Sequence, residues 1–233
     1  MLVYLISSQH EKERLSHIQD LAQKFMGLVH VEAIYPNKTT IPFSQAISAI
    51  SKQRTGTALS NGALGCLLSH RKTWKKFLHQ NSSEHCLIIE SDSYVLDLER
   101  LNYYYNHDAK NYDLFYFGAF DGRMKLFKSK SKQIDTYRIG APYINSMYCT
   151  YGYMINKKTA TYLLQSTSKF NYPVDYWKRR LKNSNLKIGG IIPNLITTNS
   201  TFTSTIAIKR SSIAQKLFDL IIDLKNTLIT QFN

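Results

Sequence analysis

Three segments at the start of the chain restrict its fold more than any others. Residues 2–6 are apolar without a break and read as a buried strand. Residues 11–25 then place Leu15, Ile18, Leu21, Ala22 and Phe25 at helical spacing, and residues 28–34 read as a second strand. Strand, helix and strand in succession open an α/β fold with a parallel sheet.

The rest of the chain extends this pattern. Residues 39–57 show no clear period and are expected to form a loop over the carboxyl edge of the sheet. Ser60 is placed to cap a helix running to about residue 80, with Leu64, Leu67, Leu68, Trp74, Phe77 and Leu78 on its apolar side. Strands are expected at 85–89, 114–117, 148–155 and 186–192, with a helix at about 157–165 and a short basic helix at 175–183. Residues 121–138 carry Arg123, Lys125, Lys128, Lys130, Lys132 and Arg138 and read as a solvated hairpin or a mobile loop. The tail, at about 212–232, is an amphipathic helix with Ile213, Leu217, Leu220, Ile221, Leu224 and Leu228 along one side. Such a stripe packs on a core more often than on a membrane. A chain of 233 residues suits one domain with a substantial core, and no internal repeat is visible.

Composition narrows the partners. With 43% hydrophobic and 20% charged residues the chain belongs with globular proteins, not disordered ones. Its 30 Lys+Arg against 16 Asp+Glu give a net charge of +14, which attracts nucleic acid, an anionic membrane or a phosphorylated substrate. Apolar runs such as residues 86–89 fall far short of the roughly 20 residues that span a bilayer. The first residues lack a basic leader and a cleavage site, so they read as a strand and not as a signal peptide. Cys66, Cys86 and Cys149 lie far apart without metal-type spacing, which suggests reduced thiols in the cytoplasm.

The chemistry concentrates where a strand runs straight into acids, Cys86-Leu87-Ile88-Ile89-Glu90-Ser91-Asp92. Ligands of open α/β sheets bind at the carboxyl ends of strands. Two carboxylates two positions apart can both reach a site at that edge and supply oxygen ligands to a hard divalent cation. Such a cation would neutralise a departing diphosphate. The plainer reading is a pair of solvated turn acids.

Longer blocks resemble the signature of family 25 glycosyltransferases, the bacterial lipooligosaccharide and lipopolysaccharide (LPS) glycosyltransferases. They are Leu59-Ser60-Asn61-Gly62-Ala63-Leu64-Gly65-Cys66-Leu67-Leu68-Ser69-His70 with Trp74, then Ile88-Ile89-Glu90-Ser91-Asp92. The resemblance extends to Leu5-Ile6-Ser7 with Glu13-Arg14, to Tyr112-Asp113-Leu114-Phe115-Tyr116-Phe117-Gly118, to Thr150-Tyr151-Gly152-Tyr153-Met154-Ile155-Asn156 and to Pro173-Val174-Asp175. The blocks keep the family's order and cover residues 1 to about 180.

The resemblance implies a GT-A-like fold with a mixed, mostly parallel sheet and helices on both faces. It further implies inverting transfer of a hexose, galactose or glucose, from a UDP-sugar with Mn²⁺ or Mg²⁺. Glu90 and Asp92 would be metal ligands and Asp92 and Asp175 catalytic, Asp175 as the base; Ser7, Arg14, Ser60, Gly62, His70 and Glu90 would contact the donor. Two residues depart from the family: Ser91 stands for an Asp and Ala63 for a Glu. The acid-x-acid pattern survives, so restoring Asp at 91 is expected to be tolerated.

Plainer readings stand beside each assignment. Gly62 and Gly65 could serve helix packing, His70 the helix–sheet contact, and Asp175 a helix cap. An LPS-core acceptor places the protein at the anionic inner face of the cytoplasmic membrane, held peripherally by the basic hairpin, by Lys178-Arg179-Arg180 or by the tail with Lys209, Arg210, Lys216 and Lys225. Two rivals remain, a catalytically degenerate member that only binds and a basic nucleic-acid module. The second is set aside because no zinc-finger or helix-turn-helix pattern occurs and the aromatics do not interleave with the basic runs.

Overall fold

The structure, a computed structural model, describes residues 1–35, 40–79, 83–198, 202 and 213–232, with side chains of the last helix from 219 to 231. In chain order the elements are β1 (Val3–Ser7), α1 (Leu15–Lys24), β2 (Val29–Glu32), α2 (Ser44–Thr55), α3 (Asn61–His79), β3 (His85–Glu90), β4 (Ser93–Val95) and α4 (Leu98–His107). They continue with β5 (Leu114–Tyr116), β6 (Leu126–Ile134), β7 (Tyr137–Pro142), β8 (Gly152–Asn156), α5 (Lys157–Ser166), α6 (Trp177–Leu181), β9 (Ile188–Ile192), β10 (Ile196–Thr198) and α7 (Ile213–Phe232).

The main sheet has eight strands in the order β2-β1-β3-β8-β5-β9-β7-β6. Only β8 and β7 run against the others, yet because each lies between strands of the opposite sense, antiparallel pairings slightly outnumber parallel ones. The sheet is therefore mixed, and "mostly parallel" describes strand directions but not pairings. Period-two alternation sorts its side chains onto two faces. Tyr4, Ile6, Ile88, Tyr116 and Tyr153 pack with Leu67, Trp74 and Phe77 of α3, Ala160 and Leu163 of α5 and Trp177 of α6. Val3, Leu5, Leu87, Ile89 and Phe115 pack on the other face with Leu21 of α1 and Leu101, Tyr104 and Tyr105 of α4.

Several expectations need correction. Residues 44–55 form α2 rather than loop. This helix is held by polar contacts, with Ser51 Oγ donating to Asn171 O at 2.9 Å, and it stops at Gly56, whose φ of 78° suits a left-handed cap. The first helix begins later than its apolar spacing predicts: residues 12–14 form a 3-10 turn and Leu15 is exposed. Of the two readings of residues 121–138, the hairpin holds: β6 and β7 pair and close one edge of the main sheet. Its lysines Lys128, Lys130 and Lys132 lie on the outermost strand, where charge discourages pairing with another sheet. Lys209 and Arg210 lie outside the described residues.

The small sheet, β4 with β10, matters because it sits beside the end of β3. It is tied to β5 where Leu195 N and Ile196 N both donate to Phe117 O, at 2.7 and 3.1 Å. Gly118 makes this approach possible, since a Cβ there would lie 1.8 Å from Ile196 O. We expect Gly118→Ala to lower stability by about 2 kcal/mol or more, as backbone clashes do, read from urea unfolding. An unchanged midpoint would mean that β10 does not pack there.

Candidate active site

The sheet has one switch point at its parallel end. From β1 the chain moves through α1 on one face to β2, then through α3 on the other face to β3 on β1's opposite side. Connections leaving in opposite directions open a crevice at the carboxyl ends of β1 and β3, the ligand position of open α/β sheets. The sequence places Ser7 and Ser8 at the first of these ends and Glu90, Ser91 and Asp92 at the second.

The turn after β3 is built by Ser93, whose Oγ accepts from Glu90 N at 2.8 Å and donates to Tyr151 O. Residues 91 and 92 form the turn beyond the strand, and Arg14 reaches both of them. Ser91 is buried and bonds inward, donating to Glu11 Oε1 at 2.7 Å and accepting from Arg14 Nη1 at 2.8 Å. Arg14 also pairs with Glu11 at 2.9 Å and approaches Asp92 Oδ2 at 3.8 Å. Glu11 is in turn held by Ser8 N at 2.7 Å and Tyr35 Oη at 2.8 Å. An aspartate at 91 would therefore face the Glu11 carboxylate. It would also face the Arg14 guanidinium, and the stability of Ser91→Asp reads the balance of the two.

Glu90 is gripped from α3 and β8. His70 Nε2 lies 3.3 Å from Glu90 Oε1, and its Nδ1 lies 2.7 Å from Tyr153 Oη. Trp74 Nε1, which can only donate, gives its hydrogen to Tyr153 Oη at 2.9 Å. The network is satisfied when Tyr153 donates to Nδ1 and His70 donates from Nε2 to Glu90; this tautomer is assigned from the partners. His70 is fully buried with both ring nitrogens engaged, so it positions Glu90 instead of meeting a donor directly. Thr150 Oγ1 donates to the same Glu90 oxygen. Just before it, Cys149 holds φ at 72°, left-handed strain of the kind that collects at functional sites.

These contacts push the two acids apart. Burial raises Glu90, but hydrogen bonds from His70 and Thr150, with the charge of Arg14, hold it below the usual carboxylate range. Burial, reinforced by the charge of Glu90, raises Asp92 to about 6. Asp175, half-buried ahead of α6, is raised by burial and by Glu90, while Arg180 opposes the shift. It makes no side-chain cap to α6, which sets aside the capping role. Perturbed carboxyls gathered in one crevice mark a functional site more often than a structural one.

The remaining assignments fall as follows. Ser60 is exposed and its Oγ accepts from Ala63 N at 3.1 Å, so it caps α3. Gly62 is half-buried in the first turn of α3, and Ala63 belongs to a small apolar cluster with Leu59 and Leu64. Arg180 is buried, donating to Tyr172 O and Pro173 O at 2.7 and 2.9 Å, and so braces the segment before Asp175 instead of facing a membrane. Ser7 is buried and its Oγ has no hydrogen-bond partner among the described residues. Glu11, Thr150 and Tyr153 were missed as site residues. Ser8-Gln9-His10-Glu11 has the spacing of a capping box and could have shown Glu11 turning back to Ser8.

Two donor sets compete for a metal ion. Cys66, His70 and Glu90 offer ligand atoms within 4.8 Å of one another, a cluster that cysteine spacing alone did not show. The Cys66 thiol is pushed well up by burial and by Glu90, Asp175 and Asp92, which works against the thiolate that a soft metal needs. The other set is all oxygen. Asp92 Oδ1 is buried without a hydrogen-bond partner among the described residues, a vacancy that a cation beside Glu90 would fill. The residues present fit a hard divalent cation.

Fold and site together define an α/β protein with an acidic ligand crevice at the switch point of its sheet. The model of glycosyltransferase family 25 (LPS biosynthesis protein) matches residues 1–177, and the chain belongs to that family. No curated protein matches the chain. Among solved structures it is similar to HddC from Yersinia pseudotuberculosis, at 14% identity and a TM-score of 0.33, over 80% of this chain and 67% of that one. That likeness is too distant to bear on fold or function.

Two predictions follow from the charges. A carboxyl raised in the folded state costs stability once ionised, so the cost from Asp92 grows as pH rises from its ordinary 3.8 to about 6 and is complete above that. Asp92→Asn should therefore be more stable than the parent by roughly 1–2 kcal/mol at pH 7.5 and indistinguishable from it near pH 4, by thermal unfolding. Ser91→Asp should lose about 1–3 kcal/mol at pH 7.5, because it buries a second carboxylate against Glu11; wild-type stability there would contradict the Ser91–Glu11 contact.

Proposed function

We propose that the protein transfers a hexose from a UDP-sugar to an LPS-core acceptor by single displacement, on a fold of the GT-A type. The family implies a nucleotide-sugar donor and an LPS acceptor in general. The observation that carries the reading further is the pair of unsatisfied polar atoms, Ser7 Oγ and Asp92 Oδ1, at the ends of β1 and β3. Orphaned buried groups at a switch point are what a polar ligand satisfies.

Glu90 and Asp92 would hold Mn²⁺ or Mg²⁺, which when bound supplies charge neutralisation for the leaving diphosphate. The work of the chain's own residues is to keep those acids placed. His70 and Thr150 fix one oxygen of Glu90, and Arg14 restrains Asp92. Asp175 takes the acceptor proton. Its raised affinity for protons suits a base, which works best when its pKa is closer to the operating pH than that of a solvated carboxylate. The alternative, a family member that binds without catalysis, rested on Ser91 and Ala63. Both are accommodated by their neighbours, Ser91 by hydrogen bonds to Glu11 and Arg14 and Ala63 by packing with Leu59 and Leu64.

The test is a panel of nucleotide sugars with Mn²⁺ or Mg²⁺, followed as donor hydrolysis and as transfer to LPS-core saccharide. We expect a UDP-hexose to be turned over and Asp92→Asn to be slower by about a hundredfold or more. Asp175→Asn should abolish transfer while nucleotide affinity stays close to wild type, since a base acts in the transition state. In the parent, transfer should fall as pH drops through a value above the ordinary carboxylate range. Equal loss of UDP affinity in Asp175→Asn would make that residue a ligand instead, and no turnover of any donor would favour the binding-only alternative.

A further inference from the structure

Helix α7 is packed the wrong way round for a water-soluble surface helix. Leu220, Ile221, Leu224 and Leu228 are 57, 62, 57 and 58% exposed. The opposite side is polar and faces the protein. Asn226 and Thr230 are buried, Asp219 meets Arg123 at 3.5 Å, and Asp223 meets Lys125 at 3.1 Å. At 100° per residue the four apolar residues fall within one narrow stripe. Amphipathic helices in water bury that stripe; here ion pairs hold it outward, and this arrangement overturns the sequence expectation of core packing.

The charges around the stripe select what covers it. Both described acids of α7 are turned inward and neutralised, so they do not oppose an anionic surface. Lys225 flanks the stripe and is exposed, and strand β6, packed against α7, carries exposed Lys128 and Lys130. A second copy of a chain with net charge +14 would be repelled at close range. Two exposed tyrosines, Tyr148 and Tyr176, lie near the start of the described part of α7. Tyr148 lies near enough to Asp219, Arg123 and Tyr176 to feel all three. Tyrosine is favoured at the boundary between headgroups and water. No helix among the described residues is long and apolar enough to cross a membrane, so contact would be in the interfacial plane.

We propose that α7 lies flat on an anionic lipid surface with its apolar stripe among the acyl chains, flanked by Lys225, Lys128, Lys130, Tyr148 and Tyr176. This deepens the transferase reading, because Tyr176 adjoins Asp175 and the membrane would therefore border the side of the crevice where the acceptor is deprotonated. The attachment itself stands on geometry and charge alone.

The test uses the full chain with phosphatidylcholine vesicles, with and without phosphatidylglycerol. Leu224→Trp places a reporter on the stripe, and Trp74 and Trp177 are both fully buried, so a blue shift on vesicles reports α7. We expect that shift with anionic vesicles. We also expect a bound fraction to survive a rise from about 0.1 M to about 1 M salt, where screening shortens from about 10 Å to about 3 Å. Leu220→Ser with Leu224→Ser should weaken partition by roughly tenfold or more and leave the unfolding midpoint unchanged. Three outcomes overturn the proposal: no vesicle binding, binding fully released by salt and indifferent to the serine pair, or a solution dimer that the serine pair dissolves. Donor hydrolysis measured without vesicles keeps the two readings separate. Hydrolysis without vesicle binding counts against the helix alone, and vesicle binding without hydrolysis counts against the transfer chemistry alone.

Discussion

Glu90 and Asp92 stand in one crevice, largely out of water, and like charges in such surroundings repel by several kcal/mol. Much of the neighbouring structure can be understood as restraint on that pair. Arg14 approaches Asp92 while Glu11 and Ser91 hold the guanidinium in place. Trp74, Tyr153 and His70 form a chain of donors ending on Glu90, anchored in the packed face between α3 and β8. Ser93 closes the turn that carries both acids. The result is one carboxyl held below its usual range and its neighbour raised, a division that a site for a cation and a polyphosphate can use.

Helix α3 shows why core and site cannot be separated here. Leu67, Trp74 and Phe77 bury one side of the helix against the sheet, and the same side carries His70. Ser69, one step away, accepts from Ile34 N at 2.8 Å and fixes the chain leaving β2. A core substitution at Trp74 would remove both packing and the hydrogen bond that orders Tyr153, so its effect would reach Glu90 through two side chains.

The sequence made the strands and the main helices visible because their signals are local. Residues 2–6 and 86–89 are apolar runs, Ser60 caps α3 as its position suggested, and the acids after β3 stand at the carboxyl edge. Helix α4 was overlooked although Asp97 accepts from Arg100 N at 2.9 Å as a cap and Leu101, Tyr104 and Tyr105 follow at helical spacing. Other features had no local signal. Strands β4 and β10 are three residues each and exist by pairing across a hundred positions of sequence. The inward turn of Ser91 depends on Glu11 and Arg14, eighty and seventy-seven residues away. The outward stripe of α7 is invisible to a hydrophobic period, which reports that a helix is two-sided but not which side faces the protein.

That last ambiguity also bears on the meaning of the net charge. A surplus of +14 suggests a broad basic surface, but several of the cations are already engaged by neighbouring groups. Arg14 and Arg180 are buried, Arg71 donates to Leu164 O at 2.6 Å, Lys132 meets Asp108 at 2.7 Å and Lys158 meets Asp113 at 2.9 Å. Arg123 and Lys125 hold the acids of α7. Each ion pair among these sets one positive charge against one negative and so leaves the excess intact while thinning its distribution. The exposed lysines and arginines outside these ion pairs include Lys128, Lys130, Lys178, Arg179 and Lys225. A polyanion in solution is drawn to total charge, whereas a flat anionic surface responds to charge lying in one plane with apolar area beside it. The pairing of Arg123 and Lys125 with α7 gives up two surface cations and, by turning the helix over, sets the apolar stripe next to the lysines that are left.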